Sequence, residues 1–389
     1  MAAPLSFRSG SQIAESVCAG HPDKVADRIS DAVLDAFLAI DPHARVNCET
    51  LVTRDNVVAT GQITANADVD VDATVRSVLR EIGYHDVRRH GLSADTSTVR
   101  VLLDRQSREI ADGVDRGGAG DSGIVYGYAC DETPERLPLS CVLAHDIARR
   151  VGATGAAGVP ALGPDGKVQV DLAREDGADR AIVVVSAQHP ADLSLDELTD
   201  LVAGKIVTPA LEDRGVVPVD IHVNPAGTFV VGGTSADAGL TGRKLMVDAY
   251  GGLVRHGGGC CSGKDATKVD RSGAYVARYL AANVVAAGLA GRCRVGLGYA
   301  IGRPLPVWLD VECFGTATVA HDHIAAALTE LVDLRVEAVI ERLSLRTAAY
   351  QPTAAYGHFG RPEFSWERLD LADALRTRLG DGKTAGPSV

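Results

Sequence analysis

The chain lacks any apolar run near the about 20 residues that a bilayer-spanning helix requires, which argues against a membrane span. It also lacks a cationic excess. Its 39 Lys and Arg stand against 51 Asp and Glu, a formal net charge of -12, so neither a nucleic acid nor an anionic membrane is expected as the main partner. The eight cysteines (18, 48, 130, 141, 260, 261, 293 and 313) contain no CxxC pair and no metal-finger spacing, and the first residues hold no apolar signal core. A reduced set of thiols in a cytoplasmic protein is the expectation. Aromatic residues are sparse, at 4%, and no residue-level repeat is visible.

What is present is a chain of 389 residues, 46% hydrophobic, with 42 glycines. That length exceeds what one growing core accommodates, so two or three lobes with tight backbone approaches are expected. "ARVNCETLVTRDNVVATGQIT" reads as a hairpin of β-branched strands around "RDN". The strand "TVRVLLD" follows, and then an aperiodic Gly- and Asp-rich loop over 105–123. Further on come a helix from about Leu139, the strand "RAIVVVSAQ", a helix from about Leu195 to Glu212, and the strands "VDIHVN" and "TFVVGG". The last third holds a long apolar helix expected to close at Gly291, the strands "CRVGLGYAI" and "VWLDVECFG", helical segments near 322–343 and a frayed tail. Strand pairs and helices thus recur in each third, a mixture of α and β.

Near the N-terminus, "GHPDK" opens an amphipathic helix on which Asp27, Asp31 and Asp35 recur at every fourth position. That spacing stacks the three carboxylates on one face, where they repel unless cations or water answer them. Asp23, taken alone, reads most simply as the cap of this helix.

The segment from Gly239 to Arg271 carries Arg243, Lys244, Arg255, His256, Lys264, Lys268 and Arg271 among many glycines. Cations on a backbone able to approach closely are what a polyphosphate requires. A solvated basic face would leave the glycines without a purpose. "GGCCSGK" satisfies the first part of a phosphate-binding P-loop, but Asp265 stands where Ser or Thr would hold Mg²⁺, and no strand feeds the segment. A P-loop NTPase is therefore a weak reading. Asp23 and Asp270, each beside cations in "HPDK" and "KVDR", suit a shared metal and phosphate site.

Over nearly its whole length the chain resembles the S-adenosylmethionine synthetase (methionine adenosyltransferase) family. The resemblance is carried by "GHPDK", "ISDAVLDA", "ARVNCET", "DGVDR", "GAGD", "GLTGRK", "VDAYGG", "HGGG", "SGKD", "KVDRS", "NVVAAGLA", "YAIG" and "AAYGHFG". It implies an α+β fold of three similar lobes with pseudo-threefold symmetry, in a homodimer or homotetramer with active sites at the interface. The expected divisions are 5–104, a mobile loop 105–123, 124–233, 234–376 and a tail 377–389. The implied reaction is attack of the L-methionine sulfur on C5′ of ATP with release of triphosphate, which is then cleaved to phosphate and pyrophosphate. Such chemistry needs in-line positioning and cations for the leaving charge.

Carried over by motif, the resemblance assigns His21, Lys167, Arg243, Lys244, Lys264 and Lys268 to catalysis. It places Asp165, Gly166, Thr228, Phe229 (stacked on adenine), Asp237 and Cys260 at ATP, together with His21, Lys167, Arg243, Lys244 and Lys264. Gln62, Gln106, Asp237, Lys268 and Ile301 fall to methionine. Asp23 and Asp270 would hold two Mg²⁺, and Glu49 would serve a K⁺ site.

Departures gather at the amino-acid side. Gln62 replaces a Glu that pairs with the substrate ammonium, which removes a charge but keeps a hydrogen-bonding group. Cys260 and Cys261 replace a small and an aromatic residue, Ala19 an acidic one, Ser122 a Gln and Thr228 an Arg, and the loop before "GAGD" is shortened. Two readings follow: ordinary synthesis with tolerated drift, or a member retuned toward another amino-acid or sulfur substrate or toward cleaving ATP. The adjacent cysteines are read as small apolar packing.

Overall fold

A computed structural model describes residues 10–105, 117–153 and 162–380. Alternation of apolar and polar residues gives three sheets whose helix-facing sides are buried, two of them four-stranded with a parallel last strand and the third three-stranded without one. In the first unit, β1 (Gln12–Val17) leads into α1 (Pro22–Ile40), the antiparallel hairpin β2 (Arg45–Thr53) and β3 (Asn56–Thr64), α2 (Val71–Ile82), the short α3 (Val87–His90) and β4 (Thr98–Asp104), which lies parallel to β3. In the second, β5 (Gly123–Cys130) leads into α4 (Leu139–Gly152), the hairpin β6 (Gly166–Glu175) and β7 (Ala178–Ala187), α5 (Leu195–Val202), α6 (Thr208–Glu212) and the parallel strand β8 (Val217–Val223). The third runs through β9 (Gly239–Leu240), α7 (Leu245–Asp248), α8 (Val269–Ala286), the hairpin β10 (Arg292–Tyr299) and β11 (Trp308–Glu312), α9 (His321–Leu331), α10 (Val336–Arg342) and α11 (Ala372–Gly380).

The leading strand of each unit does not join its own sheet. β1 pairs with β6 of the second unit, β5 with β10 of the third, and β9 with β2 of the first. This cyclic exchange of edge strands ties the three lobes together. It also covers one edge of each hairpin that would otherwise be left unpaired. The α+β architecture of three similar lobes is therefore the one expected.

Some local expectations change. "TFVVGG" forms no strand, because its backbone groups bond to His189, Gln188 and Arg89 rather than to a ladder. The long apolar helix ends before Gly288, whose φ of 72° supplies the left-handed turn, and not at Gly291. The helical segments near 322–343 are α9 and α10. Residues 106–116, most of the expected loop, lie outside the described residues.

On the face opposite the helices the sheets are open. Ile13 (58% exposed), Leu102 (59%) and Ile124 (55%), one from each sheet, stand on it. On the covered side, His145 of α4 is buried with Nδ1 2.9 Å from Ser16 Oγ, and burial, reinforced by the Arg149 charge, lowers its pKa to about 3. An unfolded histidine titrates near 6.5, so below that pH the unfolded chain takes up a proton that the folded chain refuses. The stabilising contribution of the neutral ring is complete above about pH 6.5 and is lost as pH falls, by at most about 1.4 kcal/mol per pH unit. His145→Gln is expected to reduce the slope of unfolding free energy against pH by about one proton's worth between about pH 4.5 and 6. Urea unfolding over a pH series measures it, and an unchanged slope would refute the assignment.

Candidate active site

The site is organised by α1. Its carboxylates at 23, 27, 31 and 35 are each answered by a different part of the third unit or the segment that follows it. Asp23 accepts from the Leu240 N–H at 3.0 Å and from Lys244 Nζ at 2.5 Å. Asp27 accepts from Lys24 Nζ and the Gly242 N–H, both at 2.8 Å. Asp31 accepts from the Gly263 N–H at 2.8 Å and takes a two-pronged pair from Arg271 at 2.7 and 3.0 Å, both side chains being fully buried. Asp35 accepts from the backbone N–H groups of Tyr350 and Gln351 at 2.8 Å. Cations answer Asp27 and Asp31 of the column, whereas Asp35 is met by backbone donors alone, which spacing did not reveal. The result is that α1 holds the Gly- and cation-rich segment in place.

At the start of this helix the cap is His21, not Asp23: the His21 Nδ1 accepts from the Asp23 N–H at 3.2 Å, and Pro22 occupies the first turn. Because Nδ1 is an acceptor, the ring proton sits on Nε2. Burial, followed by the Lys244 charge, lowers the His21 pKa to about 4. The imidazole is thus a neutral donor amid Lys167, Lys244 and Asp237. Burial pushes the Asp23 carboxyl up, but the Lys244 hydrogen bond and the Leu240 N–H outweigh it and leave its pKa lowered. Arg243 Nε stands 3.6 Å from the same carboxylate.

A second cluster forms where the segment passes β2. Lys264 Nζ is 2.6 Å from Asp270 Oδ2, and although burial works against its charge, the Asp270 partner keeps its pKa raised. Gly259 is required here, since a Cβ would lie 2.2 Å from the Asp270 carboxylate. The two clusters meet at Gly242, where a Cβ would lie 2.4 Å from that of Cys260. The Cys260 thiol is pushed up to about 12 by burial, against the pull of Lys264. Cys260 and Cys261 donate weakly to the carbonyls of Ser262 and Asp270, in keeping with a packing role. Glu49 is exposed on β2 and contributes to the field at Cys260.

The second unit brings Lys167, whose Nζ is 2.6 Å from Glu15 on the neighbouring strand, and also Gly166 and buried Asp165. Burial raises the Asp165 pKa to about 6, with the Gly233 and Gly166 N–H groups restraining it. Phe229 and exposed Thr228 lie on the loop beside it, followed by exposed Asp237. Gln62 stands on the open sheet face, in register with Asn47 of β2 and Asp104 of β4. Asn47 bridges to Lys264 through the backbone. Lys268 is buried and paired with Asp265 at 2.5 Å, Ile301 is exposed with its N–H on Ser122 Oγ, and Gln106 lies outside the described residues.

Three lysines, 167, 244 and 264, are therefore each held by one carboxylate, with Arg243 and the His21 N–H beside them. Fixed donors of this kind suit a multiply charged phosphate ligand. Sequence reading missed Glu15, Asp104, Asp265 and His189, whose positions depend on strand register and on contacts between distant segments. Only the alternation of "QIAESV" could have marked Glu15 as facing away from the core.

Three family models match the chain: S-adenosylmethionine synthetase, N-terminal domain, over residues 11–108; central domain, over 116–229; and C-terminal domain, over 231–368. Among curated relatives, S-adenosylmethionine synthase 1 of Frankia casuarinae is 49% identical, over 94% of this chain and 98% of its own. The S-adenosylmethionine synthase of Thermus thermophilus is 47% identical with the same coverage. That of Desulforudis audaxviator is 47% identical over 93% of this chain and 96% of its own.

Proposed function

The chain belongs to the S-adenosylmethionine synthetase family and acts as an ATP:L-methionine S-adenosyltransferase, and from this premise we propose how its own residues carry the reaction. The observation that carries the reading is the set of cations spread over two lobes and held by carboxylates within about 2.6 Å.

In this reading Lys167, Arg243, Lys244 and Lys264 take the triphosphate, and Phe229 stacks on adenine with Thr228, Asp165, Gly166, Asp237 and Cys260 around it. The sulfur of methionine forms a bond to C5′ as the C5′–oxygen bond breaks, leaving a sulfonium and a free triphosphate. The His21 Nε2–H donates to the leaving oxygen without adding a charge, which its low pKa and occupied Nδ1 support. Lys268 fixes the local backbone through Asp265, and Ile301 would serve the amino-acid end with it; Gln106 is given to that end by the resemblance alone.

Asp23 and Asp270 fit Mg²⁺ by donor chemistry. Each presents hard carboxylate oxygens beside the phosphate cations, and Mg²⁺ is commonly held by one or two carboxylates with substrate phosphates completing the shell. Among the described residues no group of three or more His, Cys, Asp or Glu could hold a metal by itself. When bound, two Mg²⁺ would neutralise triphosphate charge, and K⁺ would be served by Glu49. Asp270→Asn is expected to raise the Mg²⁺ concentration for half-maximal activity about tenfold or more. A Mg²⁺ titration of initial rates checks it, and a wild-type midpoint would remove Asp270 from the metal.

Gln62 lacks the charge for an ammonium, but Asp104 beside it leaves a carboxylate on the same face. A carboxylate there suits an amino-acid ammonium, which methionine shares with every other amino acid, and methionine as the substrate is supported by the relatives' names. The open sides of the sheets, which carry Gln62, Glu49 and Lys167, also expose Ile13, Leu102 and Ile124, and such uncovered apolar residues support a homodimer or homotetramer with the site at the interface. The eight free thiols support a cytoplasmic setting. Among the described residues no helix is long and apolar enough to cross a membrane.

A further inference from the structure

Immediately after β7, Gln188 and His189 are almost fully buried, and neither belongs to any cluster described above. Their bonds join two loops that come from different parts of the chain. The Gln188 backbone N–H donates to Asp165 O at 3.0 Å, and its carbonyl accepts from the Gly163 N–H at 2.6 Å. Its side-chain amide donates to Val230 O at 3.0 Å and Arg89 O at 3.3 Å.

His189 grips the next residue over. Its backbone N–H donates to Phe229 O at 2.9 Å, and its ring Nε2 accepts from the Phe229 N–H at 3.1 Å. The ring Nδ1 lies 2.9 Å from Pro190 O. A carbonyl can only accept, so Nδ1 carries the proton and Nε2 is left free to receive the Phe229 N–H. Both polar groups of the Phe229 backbone are thereby fixed by one residue. The Phe229 ring packs close against Gly232, where an added Cβ would lie 3.0 Å from its Cε2, so the glycine leaves room for the ring.

We infer that His189 is a positioning residue for the adenine subsite, acting through the backbone of Phe229. The inference rests on the reading that Phe229 stacks on adenine. A loop with no strand ladder depends on such side-chain anchors for its conformation, and the platform is only as well placed as its backbone. Loss of the anchor should weaken what the base contributes and leave the phosphate and amino-acid ends alone.

The test uses the full-length enzyme with Mg²⁺ and two substrates, ATP and inorganic tripolyphosphate, which has no base. His189→Leu is expected to raise KM for ATP about tenfold, as one buried hydrogen bond lost and one N–H left unpaired would do. KM for methionine and the rate of tripolyphosphate cleavage are expected to stay within about twofold. His189→Asn, too short to reach from the Nε2 position, is expected to resemble His189→Leu. His189→Gln, whose side-chain oxygen can accept the Phe229 N–H, is expected to recover most of the ATP affinity. A wild-type KM for ATP in both the Leu and Asn variants overturns the inference, as does an equal fall with ATP and tripolyphosphate, or failure of Gln to rescue. Phe229→Ala separates the two layers. If that variant keeps a wild-type KM for ATP, the stacking reading itself is wrong; if it raises KM while the His189 variants do not, only the role of His189 falls.

Discussion

Replacing Lys264 by methionine is expected to lower kcat for S-adenosylmethionine formation by about 10²- to 10³-fold, with tripolyphosphate cleavage falling in parallel. The side chain reaches a protected position where its charge is maintained by Asp270 at 2.6 Å, so it is a preorganised donor and not a flexible surface cation. Methionine keeps much of the length and apolar contact but removes the charge that would meet the triphosphate as it leaves. Initial rates with each substrate measure the effect, with thermal unfolding run in parallel because Asp270 loses its partner. A change in kcat below about fivefold would place Lys264 outside the reaction and make it a structural ion-pair member.

The largest stability effect is expected at the other end of the same scaffold. Asp31→Ala should destabilise the fold by about 3–5 kcal/mol, because it strands a fully buried guanidinium. Among the described residues Arg271 would keep the Lys264 carbonyl, the Thr353 and Tyr275 hydroxyls and the Tyr350 and Tyr275 rings, with Asp35 left as a longer-range countercharge that makes no hydrogen bond to it. Asp31 also accepts the Gly263 N–H, so its loss loosens the turn that sets Lys264. Asp35→Ala, which removes backbone acceptor contacts and a longer-range attraction to Arg271 but no paired charge, should cost less. Asp31→Leu with Arg271→Met should regain a substantial part of the loss, since replacing both charges avoids the uncompensated one. Denaturant unfolding of these variants decides it, and a loss under about 1 kcal/mol for Asp31→Ala would contradict the placement of the pair.

Much of this framework could be read from the residues before any coordinates, and the rest could not for identifiable reasons. The four-residue spacing of Asp27, Asp31 and Asp35 marked a shared helical face, and the β2–β3 hairpin announced itself through β-branched strands around "RDN", of which only Arg54 and Asp55 form the turn. The partners of those carboxylates lie more than 200 residues along the chain, apart from Lys24, so no local pattern could name them. The same distance hid the cyclic exchange of β1, β5 and β9 among the sheets. "TFVVGG" carries the composition of a strand, yet its backbone bonds go to side chains and to neighbouring loops, and tertiary context overrode propensity. Both Gly288 and Gly291 could close the long helix, and only backbone geometry picks Gly288.

At the site, residue types were legible while their pairings were not. Motif resemblance named His21, Asp23, Lys244, Lys264 and Asp270, and the structure adds which carboxylate holds which lysine. It also shows that His21, by capping α1 through Nδ1, is left with a donor at Nε2. That detail turns a polar residue, proposed to stand near the reacting carbon, into a neutral proton-bearing one, a distinction composition cannot carry.

The central claim is tested most directly by mass-spectrometric product analysis of the purified chain incubated with ATP, Mg²⁺ and K⁺, with and without L-methionine. The expected result is S-adenosylmethionine formed only when methionine is present, with phosphate and pyrophosphate released in equal amounts. Consumption of ATP without that product, or no reaction until a different amino acid is supplied, would contradict the account and turn attention to Gln62 on the open face.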